Sequence, residues 1–240
     1  NLNNFSKLLQ DIFKERFAGL LHSINDETGD RTLASSGSSK LISGEDKIIE
    51  ELLGLNFEIS MKSFFQTNPK SAEKLYLKVI EYALEKKEAI DNTIVMDLFC
   101  GTGTIGQILA SRSTNAKIIG VDIVASAIND AKKNAKINNI QGLKFFANDV
   151  GKFLNNHPEY KNKIRTIILD PARAGIAPKT LLKIININAD RIVYVSCNPA
   201  TQARDTEVLI LNNYKIKKIS LVDQFPHTAH IETVVLFEKL

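Results

Sequence analysis

The stretch VMDLFCGTGTIG at residues 95–106 decides the fold of this chain. Three glycines, Gly101, Gly103 and Gly106, follow a short β-branched run and precede a helix-like segment. Their G-x-G-x-x-G spacing is typical of a strand–turn–helix unit that binds a nucleotide. Asp97 lies at the predicted end of the strand, directly before the loop. The stretch therefore predicts the first unit of an open α/β sheet that binds a ligand at the carboxyl ends of its strands.

From residue 93 onward, β-branched runs alternate with helix-like stretches, as in a parallel sheet with crossover helices. Strands are predicted at residues 94–96, 118–121, 143–146, 165–169, 192–195, 214–222 and 233–237. Helices are predicted at residues 104–111, 126–137 (with Ser126 as N-cap), 178–187 and 201–211. Only residues 223–232 join the last two strands, so these should pair antiparallel. We therefore predict an α/β fold on a seven-stranded, mostly parallel, doubly wound sheet.

The region before the main domain has a less regular pattern. Residues 1–68 are predicted to form a smaller N-terminal α+β accessory region, and residues 69–240 the main domain. Its predicted elements are a helix at 4–17 and strands at 20–25, 32–34 and 57–59, followed by the first helix of the main domain from 69 to about 87. The chain begins with Asn1 rather than Met, so we expect a further N-terminal portion to precede it.

The composition indicates a globular protein with a substantial core. The chain has 240 residues, of which 44% are hydrophobic and 24% charged, which excludes a disordered chain. Its uncharged apolar runs are the length of strands, so no membrane helix is predicted. Two cysteines, Cys100 and Cys197, are too few for a disulfide framework, and we expect the reducing cytoplasm. The net charge of +4 permits a polyanionic partner without requiring one.

Four carboxylates, Asp97, Asp122, Asp149 and Asp170, each lie at or just past the end of a predicted strand. The distance from the glycine loop to Asp122 also suits a nicotinamide dinucleotide, but a carboxylate beside the loop would repel its pyrophosphate. S-adenosyl-L-methionine has no phosphate and carries a positive sulfonium and a positive amino group, so it is the predicted cofactor. Asp122 is placed to accept hydrogen bonds from ribose hydroxyls, whereas Asp149 has an alternative interpretation as a helix cap.

Two further side chains have acid–base or nucleophilic chemistry at this edge. Cys197 follows the fifth strand and is either a nucleophile or a buried structural cysteine. Glu232 begins the last, antiparallel strand and returns to the same edge, where it can act as a general base; His227 and His230 are rival bases or shape the loop. Arg173 favours a thiolate, binds a phosphate or is a surface residue. The two histidines and Glu232 lack a further ligand cluster, so no metal is predicted.

Five motifs together resemble one family. The chain is similar, over roughly residues 20–240, to the RNA uracil-5-methyltransferases, through SFFQTNP (63–69), DLFCGTGTIG (97–106), DPAR (170–173), YVSCNP (194–199) followed by ARD (203–205), and FPHTAHIE (225–232). The resemblance implies a class I, Rossmann-like methyltransferase. It also implies transfer of a methyl group from S-adenosyl-L-methionine to carbon 5 of a uridine in tRNA or ribosomal RNA.

The resemblance also implies roles for individual residues. Cys197 resembles the nucleophile and Glu232 the proton acceptor. Together with the interpretation of Asp97 above, the predicted cofactor contacts are Gln66, Asp97, Phe99, Gly101, Gly103, Thr104, Asp122, Asp149 and Asp170. The glycine loop is more similar to ribosomal-RNA members than to tRNA members, which slightly favours 23S ribosomal RNA.

The sequence departs from the family pattern in two respects. Ala172 stands where the family has a second proline, which reduces the stiffness of that turn. Many members carry an N-terminal RNA-binding barrel, and some an iron-sulfur cluster on four cysteines. Neither is visible in this sequence, and the two cysteines of this chain cannot ligate such a cluster.

Two other functions stay open at this point. The first is a methyltransferase with another target, such as a cytosine or an amino group. Cytosine enzymes of RNA carry a cysteine after the fourth strand, where this chain has Asp170, Pro171, Ala172 and Arg173 instead, which disfavours that target. The second is a noncatalytic RNA-binding fragment.

Overall fold

A computed structural model describes residues 1–24, 39–60, 63–84, 93–113 and 116–240. The strand predicted at 32–34 lies outside these ranges. Within them, no helix has both the length and the apolar character that crossing a membrane requires.

The described residues of the N-terminal region form one α-helix and two separate antiparallel strand pairs. Helix α1 (Leu2–Phe13) is capped by Asn1 and gives way to a 3₁₀ turn over Lys14–Arg16, so the predicted helix at 4–17 ends early. Strands β1 (Gly19–Ser23) and β2 (Ser39–Gly44) pair antiparallel, as do β3 (Lys47–Leu52) and β4 (Leu55–Ser60). The sequence did not predict β2 and β3, since their apolar residues Leu41, Ile48 and Ile49 are exposed and give no regular pattern of burial.

Helix α2 (Pro69–Ala83) links this region to the main sheet. Asn68 caps it and Pro69 occupies its first turn, as the sequence predicts. The helix ends before the predicted residue 87, and residues 85–87 lie outside the described ranges. Leu52 and Phe57 belong to the same buried cluster as the inner face of α2. The division at residue 68 stays a prediction, although the two parts share this core.

The main sheet has the predicted seven strands. They are β5 (Ile94–Leu98), β6 (Lys117–Asp122), β7 (Leu143–Ala147), β8 (Ile164–Leu169), β9 (Arg191–Ser196), β10 (Tyr214–Val222) and β11 (Glu232–Lys239). Their order is β10-β11-β9-β8-β5-β6-β7. Strands β5 to β9 pair in parallel, whereas β11 is antiparallel to both β9 and β10. The predicted fold class, including the antiparallel final pair, is confirmed.

Helices cover both faces of this sheet. They are α3 (Thr104–Arg112), α4 (Ala125–Ile137), α5 (Val150–Asn156), α6 (Pro178–Asn186) and α7 (Pro199–Leu211). Helix α4 begins one residue before Ser126, so Val124 and not Ser126 is its N-cap. Helix α7 begins at Pro199, two residues before the predicted start, and Asn198 is its N-cap. Helix α5 was not predicted.

Alternating residues of each central strand enter two cores. Val95 packs with α2 and α3, while its neighbours Met96 and Leu98 pack with α5 and α6 on the other face. Because both faces are covered, the carboxyl ends of the parallel strands form an open edge at which a ligand can reach the sheet.

Candidate active site

A cavity of about 450 Å³ lies at the carboxyl edge of the sheet. Eight of the eleven predicted site residues line it: Gln66, Phe99, Gly101, Thr104, Asp122, Asp170, Cys197 and Glu232. They come from the segment before α2, the loop after β5, and the ends of β6, β8, β9 and β11. Asp97, Gly103 and Asp149 are not among its lining residues.

The glycine loop forms one wall of the cavity. Phe99 (φ +63°), Gly101 (φ +52°) and Gly103 (φ +69°) all adopt left-handed backbone conformations. A Cβ at Gly101 would contact no atom of the described residues, so the backbone there faces open space and a ligand can approach it closely. Gly103 instead occupies the N-cap position of α3, where a Cβ would clash with the Phe145 ring at 2.5 Å. Its role in the loop is therefore packing and chain direction.

Asp97 lies beneath this loop and is fully buried. Its Oδ2 accepts a hydrogen bond of 3.0 Å from the backbone N–H of Gly106, and its Oδ1 has no partner among the described residues. Burial raises the pKa of this carboxyl to about 7, against the lowering effect of the Gly106 bond. Such an orphaned buried oxygen is a place where a ligand with a positive charge would be stabilised.

Asp122 ends β6 and faces the cavity. Its Oδ2 accepts from Gly101 N at 2.9 Å and its Oδ1 from Val124 N at 2.8 Å. These bonds hold the carboxylate in place across the glycine loop, and each oxygen has a second lone pair for a ligand hydroxyl.

Asp149 acts as a helix cap in this structure. It accepts a hydrogen bond of 2.8 Å from Lys152 N and begins α5. The structure thus contains the helix cap that the sequence left open as an alternative for Asp149. Of the four strand-end aspartates, the other three lie in or under the cavity. A cofactor contact by Asp149 stays a prediction.

Cys197 and Glu232 are brought together by strand register. Ser196 pairs with Thr233 across β9 and β11, which are antiparallel, so Cys197 and Glu232 are the next opposed positions. Burial raises the pKa of Glu232. The pKa of Cys197 is also raised, first by burial and then by the negative charges of Glu232 and Asp170, while Arg173 lowers it. The arginine therefore acts in the direction that the sequence suggested, but burial and the two carboxylates outweigh it.

Asp170 adds to the negative potential of the cavity. Burial raises its pKa to about 8, with further contributions from Glu232 and Asp97. Arg173 also lines this cavity, and its Nη1 lies 3.3 Å from Nδ1 of His230, so the two side chains are in contact. Among the described residues, no group of three His, Cys, Asp or Glu side chains could hold a metal ion.

Sequence reasoning missed Tyr76 of α2. This tyrosine is buried, lines the cavity, and has its pKa raised by burial and then by Asp170, Asp97 and Glu232. A polar ring inside the apolar stripe of an amphipathic helix was the available signal. Cys100 packs against the cluster around Phe145, and burial raises its pKa well above the ordinary value.

In comparisons with known proteins, the chain is similar in sequence to RNA methyltransferases. A family model described as "tRNA (Uracil-5-)-methyltransferase" matches residues 4–240. The chain is 43% identical over 236 residues to an uncharacterized RNA methyltransferase of Clostridium tetani, covering 98% of this chain and 49% of that protein. It is also 43% identical over 240 residues to one of Clostridium acetobutylicum, covering 100% of this chain and 50% of that protein. The chain thus spans about half the length of these curated relatives.

Solved structures agree with the fold. The tRNA (uracil-54, C5)-methyltransferase of Pyrococcus abyssi, in complex with S-adenosyl-L-homocysteine, superposes with a TM-score of 0.73 at 32% identity, covering 92% of this chain and 51% of that one. TYW2 of M. jannaschii, in complex with AdoMet, superposes with a TM-score of 0.56 at 17% identity, covering 84% and 91%, a likeness of fold alone.

Proposed function

Because this chain belongs to the tRNA (uracil-5-)-methyltransferase family, we propose that it transfers a methyl group from S-adenosyl-L-methionine to carbon 5 of a uridine in RNA. The observation that carries the proposal is the opposition of Cys197 and Glu232 at the edge of a cavity lined by carboxylates. A thiol and a base on opposed strands are what a covalent mechanism at a pyrimidine ring needs.

The electrostatics of the cavity fit a cofactor with positive charge. Asp97 and Asp170 have raised pKa values because they are buried, and the Oδ1 of Asp97 has no partner among the described residues. When ionised, these carboxylates would repel a pyrophosphate and would stabilise a sulfonium and an ammonium group. S-adenosyl-L-methionine supplies a methyl group bonded to a positive sulfur, which makes that carbon electrophilic. Asp122 and Gly101 would hold its adenosine portion, and Gln66 and Phe99 would complete the walls.

Cys197 would make carbon 5 of the uridine nucleophilic. Carbon 5 of uracil is a poor nucleophile on its own. Addition of the Cys197 thiolate to carbon 6 forms a carbon–sulfur bond and moves the electron pair of the double bond into an enolate over carbon 5 and the carbon 4 oxygen. Carbon 5 would then form a bond to the methyl carbon as the bond from that carbon to the sulfonium breaks, and neutral S-adenosyl-L-homocysteine would be the leaving group. Arg173, the cation at this position of the cavity, favours the thiolate.

Glu232 would complete the reaction. After methylation, carbon 5 carries both the methyl group and a proton. Removal of that proton by the Glu232 carboxylate restores the double bond between carbons 5 and 6 and expels the Cys197 thiolate. A carboxylate in a partly desolvated position is a stronger base than one in water, which agrees with the raised pKa of Glu232.

The test is nucleoside analysis after methyl transfer. The intact protein would be incubated with methyl-labelled S-adenosyl-L-methionine and with either ribosomal RNA or tRNA from cells that lack its gene. We expect label in 5-methyluridine of one RNA class, and none with the Cys197→Ala variant. Label in a methylated cytidine or on an amino group would show another target. Binding of RNA without any transfer would show a noncatalytic RNA-binding protein.

A further inference from the structure

The turn that carries Arg173 is fastened to the first two turns of α7. We call residues 173–176 the arginine turn. The carbonyl of Arg173 accepts hydrogen bonds from Asn198 Nδ2 at 3.1 Å and from Thr201 Oγ1 at 3.2 Å, the latter hydroxyl also lying 3.0 Å from the Asn198 carbonyl. Arg204 Nη2 donates to the carbonyls of Ala174 and Ile176, both at 3.3 Å. Side chains of α7 and of its N-cap Asn198 therefore hold three carbonyls of the turn, those of Arg173, Ala174 and Ile176.

Gly175 allows the turn to lie this close to the helix. Its φ of +74° is a left-handed conformation, and an added Cβ would come within 2.7 Å of Arg204 Nη2 and 2.9 Å of Asp205 Oδ2. It would also come within 3.0 Å of Thr201 Cβ. A side chain at this position would therefore push the arginine turn away from α7.

Asp205 joins the arginine turn to the strand that leads to Cys197. This buried carboxylate accepts hydrogen bonds from Ile176 N at 2.9 Å and from the Tyr194 hydroxyl at 2.7 Å, both on Oδ2. Its Oδ1 accepts from Arg204 Nε at 2.9 Å and Nη2 at 2.7 Å. Tyr194 lies on β9, three residues before Cys197. One side chain thus connects the end of β9, the arginine turn and α7.

We propose that Asp205 and Thr201 are positioning residues: they hold the backbone of the arginine turn at the cavity that Arg173 lines together with Cys197, so that the guanidinium keeps this thiol reactive. The inference rests on the proposed function in one respect, since it takes Cys197 to be the nucleophile. Neither positioning residue lines the cavity, and so each acts through Arg173.

The charges that face Cys197 make this role necessary. Glu232 and Asp170 both raise the pKa of the thiol, and Arg173 is the cation that opposes them. His230 contacts Arg173 from the loop before β11. The side chain of Arg173 is exposed, and the contacts of Asn198 and Thr201 with its carbonyl hold its backbone. If the turn moves away, burial and two carboxylates act on the thiol without a counter-charge.

The experiment is the pH dependence of Cys197 alkylation in the intact protein, with iodoacetamide as the probe and mass spectrometry to separate Cys197 from Cys100. For Asp205→Asn and Thr201→Val, we expect the midpoint to move to higher pH and the rate near neutral pH to fall roughly three- to tenfold. Thr206→Val is the matched control, because the bond that the Thr206 hydroxyl makes within the described part of the chain goes to the Gln202 carbonyl of the same helix. Its profile should equal that of the unchanged protein.

The direction of the change separates positioning from simple electrostatics. Asp205→Asn removes a negative charge, which by itself would make the thiol more acidic and alkylation faster. A faster or unchanged rate in folded Asp205→Asn and Thr201→Val would overturn the proposal, as would an equal loss in Thr206→Val. If Asp205→Asn does not fold, Thr201→Val decides alone, because its side chain is only partly buried and its charge does not change. Since alkylation needs no RNA, the result does not depend on which base is methylated.

Discussion

The fully buried carboxyl of Asp97 accepts a hydrogen bond of 3.0 Å from the backbone N–H of Gly106. Gly106 lies in α3, so the bond ties the end of β5 to the first turn of that helix. The other carboxyl oxygen has no partner within the described ranges. A carboxylate that is ionised and buried in this way lowers the stability of the ligand-free fold. Binding of a cation beside it stabilises the charge and offsets this cost.

We therefore predict opposite effects of Asp97→Asn on stability and on binding. Above about pH 7, the amide removes a buried charge while keeping an acceptor for Gly106, so the melting temperature should rise. Affinity for S-adenosyl-L-methionine should fall roughly tenfold or more, because a carboxylate near its positive groups is lost. Calorimetry and thermal melts at pH 8 measure the two effects. A lower melting temperature together with unchanged affinity would contradict the prediction.

Asp122→Asn is the control for this variant. Its carboxylate is only partly buried, and both of its oxygens already accept backbone hydrogen bonds. We expect weaker binding of S-adenosyl-L-methionine without a gain in melting temperature. A gain of the same size in both variants would show that the effect is general to the loss of negative charge.

The second prediction concerns pH. Asp97 and Asp170 have folded-state pKa values of about 7 and about 8, against the ordinary pKa of 3.8 for an aspartate in water. Because these pKa values are raised, the folded state binds more protons than the unfolded state between about pH 4 and pH 8. The free energy of unfolding should therefore fall as pH rises through this window, and level off above it. Urea denaturation of the ligand-free protein at a series of pH values measures this. In Asp97→Asn the fall should be smaller, and a rise of stability over the same window would refute the assignment.

The third prediction concerns packing beneath the glycine loop. Gly120 of β6 pairs directly with Phe145 of β7, and a Cβ at Gly120 would lie 2.4 Å from the Phe145 ring. We expect Gly120→Ala to lower the free energy of unfolding by about 1–3 kcal/mol, because the ring must move. Phe145→Leu makes room for the added methyl group, so the double variant should lose less than the sum of the single losses. Additive losses in urea denaturation would show that the ring and the glycine do not interact.

The strands of the main sheet can be predicted from sequence because they are buried. Strand β9 has six buried residues in succession, so its β-branched run is continuous and bounded by polar residues. Helix α5 has only seven residues, too few for two full turns of apolar periodicity, and so it gave no signal. The start of α7 is set by Asn198 and Pro199, whereas the pattern of apolar residues predicted this helix only from residue 201.

The site was predictable to the extent that strand ends define it. Asp122, Asp170 and Cys197 each follow a recognisable strand, and parallel strands bring their carboxyl ends to one edge. Tyr76 and Asp205 could not be placed in this way, because Tyr76 enters the cavity from a helix and Asp205 contacts the turn beside it, in both cases through contacts distant in sequence. Asp205 bonds Ile176, 29 residues earlier, and no local pattern encodes that proximity.

The fourth prediction separates the roles of Cys197 and Glu232 by the step at which each variant stops. With RNA that carries uridine at the target, Cys197→Ala should form no covalent complex and transfer no methyl group. Glu232→Gln should add its thiol and accept the methyl group on carbon 5, but the proton there stays, so the protein remains attached to the RNA. Denaturing electrophoresis with labelled RNA should show an adduct that accumulates with Glu232→Gln.

RNA with 5-fluorouridine and a matched glutamate variant complete this experiment. A base cannot remove fluorine from carbon 5 as it removes a proton. Even the unchanged protein should therefore stay covalently attached to RNA with 5-fluorouridine, whereas Cys197→Ala should form no such adduct. Glu238→Gln makes the same substitution on the same strand, at a residue that pairs with Arg191 and Lys217 instead of lining the cavity, and it should turn over normally. Turnover by Cys197→Ala would exclude this cysteine as the nucleophile. Normal turnover by Glu232→Gln without an adduct would show that this carboxylate is not the base, and the base would then be His227, His230 or water. The position of Glu232 opposite Cys197 would in that case serve only the packing of the cavity.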